Sequence, residues 1–250
     1  STTNYKNIPD PAIRLGADIV IESLHKTLPA MTQCAILHEK SNLIDREKLE
    51  EYIYIYQSTS PSYVFLATME ACIEKMNYER DGLFIIYKEL LSEYRKKFTQ
   101  LSHIHLVEES DFKKHSAYGY DDGKLVFSVK GCGYEQDGEN IAMTGTRLGT
   151  ILQEEYGQMM EMAGGNYLTA MTSVADSKEA FEALYQAMES IDERLMDLDE
   201  EVDTSLYRTL PERKMNIAEA REHKRQDVPF QDAIGRISGD YVYVYPPGIP

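Results

Sequence analysis

The 250-residue chain has no tryptophan and only three cysteines, Cys34, Cys72 and Cys132. They are odd in number and widely spaced, so they form neither a metal-type pair nor a disulfide framework. They read as small buried hydrophobes, and a reducing cytoplasm is the natural compartment. No apolar run approaches the ~20 residues that span a bilayer. The opening Ser1-Thr2-Thr3-Asn4-Tyr5 has neither the basic start nor the apolar stretch of a secretion signal. Basic residues are scarce as well, 26 Lys and Arg against 42 Asp and Glu, for a net charge of −16. That balance argues against nucleic acid, whose binders concentrate positive charge. It suits a cationic substrate or product, although plain solubility accounts for it first.

What remains is an ordinary globular composition, 42% apolar and 27% charged. The first block reads as an α/β unit: a short helix Pro11–Leu15 ended by Gly16, a buried-type strand Asp18–Ile21, a Leu28-Pro29 break and a second strand Gln33–His38. Asn42–Gln57 is a charged, Tyr-rich helix. Ser60-Pro61 opens a longer helical region, with Pro where its missing N–H costs little. There Phe65, Met69, Cys72, Ile73 and Met76, then Leu83, Ile86, Tyr87, Leu90, Leu91 and Tyr94, form two amphipathic segments that read as core-facing.

From about residue 101 the pattern becomes α+β. Leu125, Phe127 and Val129 alternate as in a half-buried strand. Thr144–Tyr156 is helical and Asn166–Ser173 a strand. Asp176 or Ser177 caps a helix with the stripe Phe181, Leu184, Tyr185, Met188, Ile191, Leu195 and Leu198. The acidic run Asp197–Asp203 holds five carboxylates but matches no metal loop, and reads as a solvated helix end leading into a linker. A helix near Asn216–Lys224 and a strand Tyr241–Tyr245 follow.

Chemistry concentrates in Ser23-Leu24-His25-Lys26-Thr27-Leu28-Pro29. The carboxyl end of a sheet strand is where α/β proteins place ligands. By position alone Lys26 is a solvated surface charge. A hydroxyl and an imidazole beside it, on a loop fed by an apolar strand, suggest instead a rigid and partly desolvated lysine. Desolvation yields the free amine that a Schiff base requires.

The run from Gly16 to Gln33, with Ser-x-His-Lys, Leu28-Pro29 and Thr32-Gln33 in that order, resembles the signature of the bacterial ornithine/lysine/arginine decarboxylases. Gln57-Ser58-Thr59-Ser60-Pro61-Ser62-Tyr63 resembles the family segment that reaches the neighbouring subunit's cofactor phosphate. Gly145–Asp176 fits its small-domain pattern. Ala233–Ser238 with Tyr245–Pro250 resembles the start of its C-terminal domain. The resemblance runs from about residue 8 to the last residue.

It implies an α/β fold: the later part of an aspartate-aminotransferase-like fold (type I) over residues 1–100, an α+β small domain over 101–200, and the start of the C-terminal domain over 201–250. It implies pyridoxal 5′-phosphate as cofactor, held by Lys26. Ser23 and His25 would meet the phosphate or the cofactor's edge. Thr59 or Ser60 would meet the phosphate of a partner's cofactor, although both read first as helix caps before Pro61. It implies a basic amino-acid substrate, with likeness to the shorter Gram-positive-type members favouring arginine, and a homodimer or higher homo-oligomer without membrane or nucleic acid. The family's pyridine-nitrogen aspartate and ring-stacking histidine lie upstream of the lysine, and 25 residues precede Lys26 here. The chain is therefore expected to be truncated at both ends, to need the N-terminal half of the enzyme as partner, and to be inactive alone. An aminotransferase of the same fold would need a guanidinium for the substrate carboxylate. Arg147, Arg208 and Arg236 sit in no such motif. A non-catalytic oligomerisation fragment is the remaining alternative.

Overall fold

In the computed structural model, residues 9–112, 119–199 and 212–239 are described. The order is β1 (Ile19–Ser23), α1 (Leu24–Thr27), β2 (Ala35–Glu39), α2 (Arg46–Tyr56), α3 (Tyr63–Phe98), β3 (His105–Leu106), α4 (Glu109–Phe112) and β4 (Lys124–Ser128). Then come β5 (Cys132–Gln136), β6 (Glu139–Ala142), α5 (Gly145–Tyr156), β7 (Met162–Ala163), β8 (Tyr167–Met171), α6 (Lys178–Asp192), β9 (Met196–Asp197) and α7 (Ile217–Glu222). The mixture of helix and strand is that of an α/β fold. No helix among the described residues is long and apolar enough to cross a membrane. The expected strand Tyr241–Tyr245 and the acidic residues beyond Asp199 lie outside the described residues.

Short polar side chains start the helices. Asp45, Ser62, Thr144 and Ser177 each accept a backbone N–H from the first turn of α2, α3, α5 and α6, and Asn216 forms a reciprocal capping box with Glu219. Four expectations need correction. Pro11–Leu15 is a hydrogen-bonded turn, not a helix; the stretch between Pro11 and Gly16 is too short to offset nucleation. The two amphipathic segments are one 36-residue helix, α3, because a lone interior glycine, Gly82, costs only about 1 kcal/mol. The helix before the acidic run ends at Asp192, and Met196–Asp197 instead pairs with β5 as a strand edge. The strand β1 is not of the buried type: Ile19 and Ile21 are exposed, Ile21 at 72%.

By compactness the chain divides into two units, residues 1–127 with 170–194, and residues 128–169 with 195–250. In the first, β1 and β2 pair antiparallel from Ile19↔Glu39 to Ser23↔Ala35. Its core gathers where the C-terminal half of α3 meets α6. Phe98 packs edge-on against Phe127 at 5.0 Å and Tyr185 at 5.7 Å, and Tyr94 stacks on Phe181 at 5.3 Å. Buried Arg95 donates to Tyr120 Oη, Val107 O and Asp122 O. Buried Asp192 accepts the backbone N–H groups of Ser102, His103 and Ile104 at 2.7, 2.9 and 2.7 Å, tying the turn after α3 to the end of α6.

In the second unit β5 and β6 form a hairpin through Asp137-Gly138, both at positive φ, the turn chemistry such a hairpin demands. The hairpin β7–β8 and helix α5 share a core of Leu148, Ile151, Leu152 and Leu168. Gly145 admits no side chain, since a Cβ would lie 1.8 Å from the Tyr167 carbonyl oxygen.

Replacing Asp192 with alanine strands three backbone donors, so Asp192→Ala should cost on the order of 3 kcal/mol. An unchanged urea midpoint would contradict this role. A second prediction concerns acid. Hydrogen bonds from Lys97 first, then Tyr94, hold the Glu182 carboxyl down to about 2 from an ordinary 4.5. The folded value is the lower one, so this contribution is complete above about pH 4.5 and is lost as pH falls toward 2. Thermal melts across that window should be less pH-dependent in Glu182→Gln than in the wild type, and equal slopes would refute the assignment.

Candidate functional site

The Lys26 turn is built from its backbone outward. β1 delivers Ser23, which occupies the N-cap position of α1 without a side-chain cap bond. Leu24 is the anchor: its side chain is 6% exposed, its N–H donates to the Cys34 carbonyl at 3.0 Å, and its own carbonyl accepts from Leu28 at 2.9 Å. The His25 ring nitrogen Nδ1 lies 3.1 Å from the same Cys34 carbonyl. Gln33, at φ 82, turns the chain back into β2.

Cys34 in turn sits on α3. Its Sγ is 3.8 Å from the Phe65 carbonyl and 3.7 Å from Thr68 Oγ1. Cys72, one helical turn beyond Thr68, is also buried, and burial, then the nearby Cys34, push its thiol up. All three cysteines are buried and free, as expected of small hydrophobes. At the outer edge of the hairpin Glu22 pairs with His38 at 3.2 Å.

The structure thus groups Ser23, His25 and Lys26 on one anchored turn. The rigidity expected there has a physical source, but the desolvation does not: Lys26 and Ser23 are exposed and His25 is half-buried. Thr59 and Ser60 lie on the separate connection between α2 and α3, both exposed, where the Ser60 N–H donates to Ser58 Oγ at 3.1 Å. Neither caps α3. Ser62 does, accepting from the Phe65 N–H, because Pro61 biases the residue before it toward extended backbone and delays the helix. Thr59 instead lines an open groove of about 430 Å³ with Glu50, Ile53, Tyr54, Gln57 and Ser58. Among the described residues no cluster of three or more His, Cys, Asp or Glu could hold a metal. Arg147 donates its backbone N–H to the Thr144 cap, Arg236 binds Asp232 O and Gln226, and Arg208 lies outside the described residues.

Two features escape sequence reasoning. The Cys34 carbonyl that seats both Leu24 and His25 is backbone, and no side-chain pattern announces it. The other is an exposed apolar band. Of the residues read as core-facing on α3, Cys72, Tyr87, Leu91 and Tyr94 are buried, but Ile73 and Ile86 are exposed. Tyr54, Tyr56, Tyr63 and Leu66 extend the exposed set. Apolar residues all round a helix signal cover on more than one side, a signal present in the sequence around Tyr63–Ile86.

The family model described as Orn/Lys/Arg decarboxylase, major domain, matches residues 2–113. The chain is 26% identical over 248 residues to the arginine decarboxylase of Bacillus subtilis, covering 98% of this chain and 49% of that one. It therefore spans about half the length of the curated relatives it matches. Among solved structures, the Francisella novicida lysine decarboxylase aligns with a TM-score of 0.56 at 18% identity, over 70% of this chain and 28% of that one. The E. coli constitutive lysine decarboxylase gives 0.55 at 18% identity with the same coverage. The fold is shared with these enzymes, and over residues 2–113 the chain is similar to the major domain of the Orn/Lys/Arg decarboxylases.

The exposure pattern makes a direct prediction. Ile21→Thr should leave the stability of the chain within about 0.5 kcal/mol, while Leu24→Ala should cost about 2–4 kcal/mol. Urea denaturation of both variants checks the contrast, and a comparable loss at Ile21 would show it buried.

Proposed function

We propose that this chain is part of a pyridoxal 5′-phosphate-dependent decarboxylase of a basic amino acid, giving a polyamine-type amine and CO₂. The observation that carries the reading is the anchored turn with Ser23, His25 and Lys26 together, inside the residues that the decarboxylase model matches. Arginine stands first among arginine, lysine and ornithine, supported by the relatives that carry that name. Residues 1–100 are read as the later part of the cofactor-binding domain, 101–200 as an α+β small domain and 201–250 as the start of a C-terminal domain.

The donor set fits such a cofactor. Lys26 offers an amine, Ser23 a hydroxyl not spent on capping, and His25 a ring fixed by main chain. In this reading Lys26 holds the cofactor's aldehyde carbon, Ser23 and His25 face the phosphate, and Thr59 or Ser60 donates to the phosphate of a neighbouring copy. When bound, the cofactor supplies an electron sink for the pair released as the substrate carboxylate leaves as CO₂. Lys26 would hold the cofactor through its amine and hold or return a proton at Nζ. Uncharged hydroxyls around a phosphate give strong hydrogen bonds without opposing the lysine's loss of a proton. A solvated lysine keeps its proton at neutral pH, so the exposed Lys26 needs cover that excludes water. That cover is proposed to come from assembly in the cytoplasm, as a homodimer or larger homo-oligomer together with the remaining half of the enzyme.

Two measurements test this. Incubation with pyridoxal 5′-phosphate followed by borohydride should leave a stable adduct on the peptide containing Lys26, absent in Lys26→Ala; labelling only elsewhere would sink the assignment. The purified chain alone should release little or no CO₂ from arginine, lysine or ornithine. Robust release without a second polypeptide would overturn the reading that its site is incomplete.

A further inference from the structure

A carbonyl oxygen has lone pairs and no proton, so it can only accept. His25 Nδ1 lies 3.1 Å from the carbonyl of Cys34, and the hydrogen of that bond must therefore reside on Nδ1. The seat is not free to drift. The same carbonyl accepts the Leu24 N–H at 3.0 Å, Leu24 and Cys34 are both buried, and Cys34 Sγ rests on α3 against Phe65 O and Thr68 Oγ1. A neutral imidazole carries one proton, and here it is spent on the main chain.

We infer that neutral His25 is held as the Nδ1–H tautomer with Nε2 as a bare lone pair, so that it donates to a phosphate monoester at the Lys26 turn only after taking up a proton. This rests on the reading of that turn as the seat of a phosphate-bearing cofactor. The surrounding groups leave the ligand itself to drive the uptake. On β1, Glu22 is engaged by His38 of β2, and Glu39 of β2 by Arg46 of α2 at 3.8 Å. The neighbour on α1 is Lys26, a cation that opposes a second one beside it. From α3 the contacts at Cys34 are the Phe65 carbonyl and Thr68, with the Cys72 thiol one turn beyond. No carboxylate among these residues is paired with the His25 ring, so a doubly protonated His25 finds its natural counter-charge in a bound phosphate. Binding is then linked to proton uptake, and this residue weakens phosphate affinity with rising pH, by at most about tenfold per unit. A side chain that donates without titrating, such as glutamine, removes the linkage.

The tautomer is read directly from the long-range ¹⁵N–¹H spectrum of the labelled full chain at alkaline pH, with His25 assigned by its loss in His25→Gln. The expected pattern is a protonated Nδ1 and an unprotonated Nε2; the opposite pattern overturns the inference whatever the chain binds. The linkage is read with pyridoxamine 5′-phosphate, which has the phosphate but no aldehyde for Lys26. Calorimetry in two buffers of different ionisation enthalpy should show net proton uptake on binding, abolished in His25→Gln while binding persists. Binding with equal proton uptake in both proteins overturns the linkage and leaves the cofactor reading standing. A chain with the expected tautomer that binds no pyridoxamine 5′-phosphate even with the remaining half of the enzyme supplied overturns the cofactor reading and, with it, the ligand half of the inference.

Discussion

The carbonyl of Cys34 is the point on which the candidate site hangs. It receives the Leu24 N–H and faces the His25 ring, so one acceptor fixes both the start of the single helical turn and the orientation of its imidazole. Four residues of helix have no stability of their own. What holds them is the pair of backbone bonds at Leu24, the burial of its side chain, and the thiol of Cys34 wedged onto α3. The lysine inherits its position from neighbours that do no chemistry.

That arrangement explains a division of labour within α3. Its C-terminal half, from Tyr87 to Phe98, is buried against aromatic residues of α6 and β4, and Asp192 fastens the turn that follows. Its N-terminal half carries the Lys26 hairpin on one face through Cys72 and Thr68, and leaves Tyr63, Leu66, Ile73 and Ile86 in water. A single rigid helix of 36 residues therefore has one end in a core and the other end under the site.

Much of this was legible in the sequence, and the boundary of legibility is physical. Caps and alternation were readable because they depend on local chemistry: Ser177, Asn216 and the β4 alternation all behave as their side chains dictate, whereas the Asp137-Gly138 hairpin turn went unread although its residues announce it. The site turn was readable because Ser23, His25 and Lys26 are adjacent in the chain, so no tertiary contact was needed to unite them. The errors lie where an outcome depends on what covers a surface. Periodicity marks Ile73, Ile86 and the apolar residues of β1 as wanting burial, but the residues that would bury them are not specified by that periodicity. The cap of α3 was misplaced for a smaller reason: Ser58, Thr59, Ser60 and Ser62 are all competent acceptors, and only the restriction imposed by Pro61 selects Ser62.

The exposed band and the exposed lysine are one problem. Under the proposed function Lys26 must lose its proton, and water around the exposed side chain would oppose that state. Apolar cover over Ile19 and Ile21, on the strand that leads into the turn, would satisfy that hydrophobic surface and, by the same act, lower the dielectric beside Lys26. Under that proposal, stability of an assembly and reactivity of Lys26 would be coupled through a shared exclusion of water. Within the hairpin the β1–β2 ladder and the Cys34 carbonyl satisfy the inward-facing polar groups, while the outer edges of this two-stranded sheet remain open to pairing. Cover over the hairpin must therefore meet those open edges with hydrogen-bond partners as well as bury Ile19 and Ile21.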